Sequence, residues 1–152
     1  MAKNGFSMSN RVAVLEATDD VTLTANDCGK TIILNDGTNG LVVTLPKAAA
    51  AGAGWNIKLV VAASADSAKT YKIATQDTEL YVGGVAMVSD EATAEVQFFF
   101  PNGTSNDHIN LTYEAQGGQV GSRVSLVTDG EKWYVDGVLH GAGTIATPFA
   151  DS

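Results

Sequence analysis

Apolar and polar residues alternate most clearly between residues 123 and 138, where two runs of β-branched and aromatic residues flank Asp129-Gly130. A period of two is typical of β-strands, so this stretch predicts a β-hairpin in which Trp133 covers Val124 and Leu126. Gly130 supplies the positive φ angle that a tight turn needs. Asp129, Gly130 and Trp133 are therefore predicted to shape the hairpin.

Similar short runs recur along the whole chain. They lie at residues 21–24, 30–34, 41–45, 55–63, 71–75, 94–100 and 108–113, and most are separated by polar, glycine-containing turns. Together with weaker segments they predict about ten to twelve strands at a spacing of roughly 8 to 12 residues. The sequence therefore predicts an all-β fold, an antiparallel sandwich or barrel-like domain with extended termini.

Two segments interrupt the alternation. Gly83-Gly84 lies inside the run 80–88 and predicts a turn or bulge between two short strands. The alanine-rich stretch 48–54 contains two glycines and is too short to offset the cost of helix nucleation. We predict a loop there with at most one helical turn, and no segment is periodic enough for a βαβ unit.

Length and charge narrow the class of protein. The 152 residues fit one domain, which we place at residues 11–140 between a flexible N-terminal arm, 1–10, and an extended C-terminal tail, 141–152. The chain carries 17 acidic and 9 basic residues, a formal charge of −8, and has no run of Lys or Arg. This charge disfavours binding to nucleic acid or to anionic membranes.

The remaining bulk features predict where the protein is made. The longest strongly apolar windows are far shorter than the roughly 20 residues of a spanning helix, and the N-terminus has no apolar segment typical of a secretory signal. A single cysteine, Cys28, cannot form an intrachain disulfide. We expect folding in a reducing cytoplasm, with Cys28 as a small residue in a turn.

Candidate catalytic and metal-binding residues are few. His108 follows Asp107, and His140 lies four residues after Asp136. Neighbours on a strand point to opposite faces, and residues four apart are roughly 13 Å apart, so neither pair is expected to share a metal. We predict solvated histidines at strand edges, solvated carboxylates in the turns, and no metal, cofactor or catalytic residue.

Aromatic residues offer another candidate site. Trp55, Tyr71, Tyr81 and Tyr113 could form a strip that stacks on sugar rings. Most of them alternate with polar residues and share a face with aliphatic side chains, which favours packing in the core.

Three stretches of the sequence resemble a known class of structural protein. They are VTLTANDCGKTIILND, LVVTLPKAAAAGAGWNIKLVV and GSRVSLVTDGEKWYVDG. Together they resemble a β-rich module of tailed-bacteriophage virion proteins, over roughly residues 21–138. Such modules serve as capsid decoration (cement) proteins, head fibres or parts of tail fibres, and the short chain without a coiled coil favours decoration.

The resemblance implies a function and a partner. It implies a decoration protein, not an enzyme, that binds the major capsid protein on the outer head surface of the virion and stabilises the capsid. It also implies a homo-oligomer, with a trimer favoured. The alternative is a carbohydrate- or receptor-binding β-module of a head or tail fibre, and an enzyme is the third possibility.

The arm 1–10 is the candidate capsid contact. Phe6 and Met8 are its only anchors of any size, and an extended segment can add backbone hydrogen bonds to a neighbouring sheet edge. We expect deletion of the arm to leave the thermal midpoint nearly unchanged and to weaken capsid attachment.

Overall fold

The structure is a computed structural model, which describes residues 12–77, 79–90 and 95–152. Its strands are β1 (Val14–Ala17), β2 (Val21–Thr22), β3 (Thr31–Leu34), β4 (Leu41–Thr44), β5 (Asn56–Val61), β6 (Thr70–Ala74), β7 (Tyr81–Ser89), β8 (Val96–Phe99), β9 (His108–Thr112), β10 (Arg123–Thr128), β11 (Trp133–Gly141) and β12 (Phe149–Ala150). A 3₁₀ turn covers Ala25–Asp27, and helix α1 covers Ala48–Ala51. The single turn of α1 agrees with the prediction for the alanine-rich stretch.

Two sheets enclose one hydrophobic core. The seven-stranded sheet has the order β1-β3-β5-β10-β11-β7-β8, and the five-stranded sheet has the order β12-β9-β6-β4-β2. Alternate residues of both sheets are buried between them, including Leu59, Ile73 and Trp133. The predicted all-β sandwich is confirmed.

The predicted antiparallel arrangement is wrong for half of the strand pairings. Of the ten strand pairings in the described ranges, five are parallel. The cause is the path of the chain, which alternates between the two sheets from β1 to β6. Each return to a sheet therefore adds a strand in the same direction as the previous one. The segments at 21–24 and 30–34 do not form the hairpin that the polar turn between them suggested, because β2 and β3 lie in different sheets.

The prediction of a turn or bulge at Gly83-Gly84 is also wrong. Both residues lie inside the nine-residue strand β7, which pairs in parallel with β11. Gly83 has a φ of +109°, and a Cβ there would lie 2.2 Å from the carbonyl oxygen of Val135. Glycine is required at this position because the backbone of β11 approaches so closely.

The segment 141–152 is part of the folded domain and not a separate tail. Ile145 and Phe149 are buried in the core, and β12 pairs with β9. Gln116 also donates a hydrogen bond of 2.7 Å to the carbonyl oxygen of Thr147. Because Ile145 and Phe149 pack in the core, the domain extends beyond the predicted boundary at 140. The sequence pattern did not indicate this, since most residues of the segment are small.

Candidate functional site

The β10–β11 hairpin forms as predicted, with Asp129 and Gly130 in its turn. Gly130 has a φ of +97°, and a carboxylate oxygen of Asp129 accepts hydrogen bonds from the backbone N–H groups of Glu131 and Lys132. These bonds, together with one from the Tyr134 hydroxyl, hold the pKa of the Asp129 carboxyl below its ordinary value. Asp129 therefore stabilises the turn.

Trp133 is fully buried, but its neighbours differ from the predicted ones. Its cross-strand partner is Thr128, whereas Val135 faces Leu126. The Trp133 ring meets the Trp55 ring edge to face, with 5.3 Å between centroids. Its Nε1–H donates a hydrogen bond of 2.9 Å to Glu79, which satisfies the one polar group of the indole. Trp133 therefore belongs to the core and presents no exposed face.

The aromatic strip suggested by the sequence does not exist as a surface. Trp55, Tyr71 and Tyr81 are buried, and Tyr113 is half-buried against the core. The hydroxyls of Tyr71 and Tyr81 donate to backbone carbonyl oxygens, and burial raises the pKa of Tyr81 well above its ordinary value. The prediction that these residues pack in the core is confirmed for the three buried ones.

The prediction of a solvated histidine is wrong for His108. Asp107 and His108 are both buried, and the Nδ1 atom of His108 lies 2.5 Å from Asp107 Oδ1. Asp107 precedes β9, so strand alternation does not force the two side chains apart. Burial raises the pKa of the Asp107 carboxyl, but hydrogen bonds from Ser152 and His108 outweigh it, and the pKa lies below its ordinary value.

This polar cluster fastens the C-terminal segment. Asn106 donates a hydrogen bond of 2.6 Å to Asp151, and the backbone N–H of Asp107 donates to Ala150. No group of three or more His, Cys, Asp or Glu side chains in the described ranges could hold a metal ion. The role that these contacts support for Asp107 and His108 is structural. The candidate capsid contacts Phe6 and Met8 lie outside the described residues.

The most unusual surface lies at one edge of the seven-stranded sheet. Val96, Phe98 and Phe100 are 61%, 69% and 68% exposed. They share the outer face because Val96 and Phe98 alternate along β8 and Phe100, directly after the strand, continues the alternation. Val88 is opposite Val96 on β7 and is also exposed. We name these four residues the β8 surface.

An open groove adjoins the β8 surface. It has a volume of about 710 Å³, and Phe98 and Phe100 line it together with Lys58, Arg123 and Asp136. A Cβ at Gly84 would lie 2.7 Å from the Phe100 ring, so the absence of a side chain at Gly84 lets the ring lie against the sheet. The groove therefore combines apolar rings with charged side chains of both signs.

At alternate residues of β8, the backbone N–H and C=O groups point away from β7, toward the free edge of the sheet. The N–H of Ser89 donates a 2.9 Å hydrogen bond to Glu95, which fixes the alternation of hydrogen-bonded pairs between β7 and β8. Gln97 and Phe99 therefore direct their backbone groups toward β7, whereas Val96 and Phe98 direct theirs toward the free edge. In the part of the chain that the structure describes, no strand pairs with that edge.

Sequence reasoning missed the β8 surface. It identified residues 94–100 as a strand, but alternation alone does not tell which face of a strand is covered. One signal was present in the three consecutive phenylalanines 98–100. They place large apolar side chains on both faces of a strand, where a surface strand normally has a polar face.

Comparisons with known proteins identify no relative of this chain. No protein family, curated protein or solved structure matches the chain. Among the described residues, no helix has the length and apolar character needed to cross a membrane.

Proposed function

We propose that the protein is a capsid decoration protein of a tailed bacteriophage, which binds the major capsid protein on the outer head surface and stabilises the capsid. The role is one of binding and assembly and not of catalysis. The site of action is the virion, after synthesis in the host cytoplasm. The resemblance of the sequence to phage structural modules supplies the class of partner.

The observation that carries this proposal is the β8 surface. Contiguous exposed apolar patches of this kind mark interaction sites on soluble proteins, and two phenyl rings that are each about two-thirds exposed are unusual on a chain that works alone. A decoration protein needs weak contacts that symmetry repeats, because linked contacts gain avidity. An oligomer provides such repeated contacts.

Co-sedimentation with capsids tests the proposed function. The purified protein is mixed with expanded, undecorated capsids assembled from the major capsid protein encoded in the same genome. Saturable binding, with a higher thermal midpoint of the capsid, is the expected result. Absence of binding at protein concentrations up to about 100 µM, well above a typical micromolar dissociation constant, would reject the proposal.

A carbohydrate-binding function is the second candidate, because the groove brings Phe98 and Phe100 beside Lys58, Arg123 and Asp136. Aromatic faces and polar groups together are suited to sugar rings. A glycan array separates the two candidates. A specific glycan signal that Phe100→Ala removes would favour this second function, whereas an empty array with positive co-sedimentation would favour decoration.

A further inference from the structure

The free edge of β8 lacks the features that normally prevent strands from pairing between molecules. Exposed edges are commonly blocked by lysine, proline or a bulge, or are kept very short. The edge strands β2 and β12 are only two residues long, and β1 carries Glu16. In contrast, β8 has four residues and carries no charge.

The backbone of β8 is complementary to a second copy of itself. Val96 and Phe98 both direct N–H and C=O groups outward and lie two residues apart. In an antiparallel pair centred on Gln97, Val96 of one copy faces Phe98 of the other, and the reverse pair is identical by symmetry. Each of these two pairs exchanges two backbone hydrogen bonds, so one two-fold axis satisfies all the outward groups of both residues.

The side chains fit the same register. Val96 and Phe98 lie on the outer face, so each valine packs beside the phenylalanine of the second copy. Glu95 faces Phe99 of the second copy and not the second Glu95, so these carboxylates are not directly opposed. Val96 and Phe98 of the two copies then form one continuous apolar strip across the joined sheets.

Side-chain contacts across the joint add to the backbone hydrogen bonds. Val96 and Phe98 are 61% and 69% exposed in the single copy, and the pairing covers the side of each that faces the joint, whereas the outer face of the sheet stays open.

We propose that two copies of the chain associate through β8, antiparallel about a two-fold axis at Gln97, so that the two seven-stranded sheets become one continuous sheet. The partner of the free edge of β8 is thus a second copy of this chain. This inference refines the proposed function by making its oligomer a dimer in place of the expected trimer, and its test needs only the purified protein.

Sedimentation equilibrium of the full chain between roughly 1 µM and 1 mM, a range that covers weak to moderate affinities, measures the association. The expected result is a monomer–dimer equilibrium that tightens with salt, because each copy carries a charge of −8 and salt screens their repulsion. A monomer throughout this range would overturn the proposal. A trimer would also overturn it, since a two-fold strand pair closes with two copies.

The matched variants are Val96→Asp and Val127→Asp. Both valines are exposed on the seven-stranded sheet, but Val127 lies on β10, away from β8. Val96→Asp places a carboxylate beside the Phe98 ring of the second copy on both sides of the two-fold axis, and we expect association to weaken at least about 10-fold. Val127→Asp should change it less than about threefold. Equal effects of the two variants would overturn the assignment to β8.

Thermal melts of both variants show whether they fold. If Val96→Asp unfolds, Phe98→Ser replaces it, because this change removes the phenyl ring without adding charge; an unchanged dimer would then overturn the proposal. Capsid co-sedimentation separates this inference from the proposed function. If the protein is a dimer that does not bind capsids, only the decoration function is rejected. If it is a monomer that binds capsids, only the strand pairing is rejected.

Discussion

Two antiparallel pairs in the same sheet, β10–β11 and β7–β8, differ in what covers their aromatic side chains. Trp133 on β11 is completely buried, whereas Phe98 on β8 is 69% exposed. Both residues lie in strands with large apolar side chains at period two. The difference arises because Trp133 points toward the five-stranded sheet and Phe98 points away from it. Strand periodicity therefore groups side chains by face, but the second sheet decides which group becomes core.

The largest expected effect separates these two aromatic residues. Trp133→Ala should reduce the free energy of unfolding by about 3 to 5 kcal/mol, because it leaves a cavity beside Trp55. The thermal midpoint should fall by roughly 10 °C. Phe98→Ala, measured at a concentration that keeps the chain monomeric, should change stability by less than about 0.5 kcal/mol. Equal losses in the two variants would contradict the contrast between the covered and open faces.

A second prediction concerns the close approach of β7 and β11. Gly83→Ala places a Cβ 2.2 Å from the carbonyl oxygen of Val135, so the strands must separate. We expect a loss of about 2 to 4 kcal/mol in chemical denaturation. Gly103→Ala is the matched control, because Gly103 also has positive φ but open space around it. Its cost should be about 1 kcal/mol. A control that costs as much as Gly83→Ala would show that the contact with Val135 is unimportant.

The third prediction concerns the hydrogen bond between the Trp133 indole and Glu79, which has no counterpart at Phe98 because a phenyl ring has no N–H. Glu79 accepts hydrogen bonds from the Trp133 indole and from the backbone N–H of Ala48 at the start of α1. Glu79→Ala leaves both donors without this acceptor and should cost about 1 to 3 kcal/mol. Glu79→Gln keeps a carbonyl oxygen and should lose less. Identical losses in urea denaturation would show that the hydrogen bonds contribute nothing.

The smallest effect concerns pH and the buried cluster at the start of β9. The folded state lowers the pKa of Asp107, so its ionised form stabilises the fold above the unfolded pKa. That stability is lost as the pH falls through the folded pKa, below about pH 4. Asp107→Asn should therefore flatten the decline of the thermal midpoint in this range. A variant whose midpoint declines in parallel with the parent would contradict the assignment.

The local features of the fold could be predicted from the sequence. The Asp129-Gly130 turn and the single turn of α1 both depend on residues close together in the chain. Turn chemistry and strand periodicity determine such features directly. The parallel pairing of β1 with β3 could not be predicted in this way, because it depends on which sheet each strand joins.

The missed features share a physical cause. Gly83 resembles a turn glycine, but it is needed for contact with a strand that lies about 50 residues away in the chain. His108 is buried because Ser152 and Asp151 return to the cluster at Asp107 and Asn106. The β8 surface is exposed because the second sheet covers only one face. All three depend on long-range packing, which a local pattern does not encode.

Amide hydrogen exchange at Val96 and Phe98 tests the central claim most directly. In the monomer, Gln97 and Phe99 are protected by bonds to β7, whereas the amides of Val96 and Phe98 face solvent. Above the dissociation constant, we predict that Val96 and Phe98 also become protected, while Gln97 and Phe99 change little. Fast exchange at both concentrations would contradict strand pairing through β8. Protection at both concentrations would assign the edge to another part of the same chain.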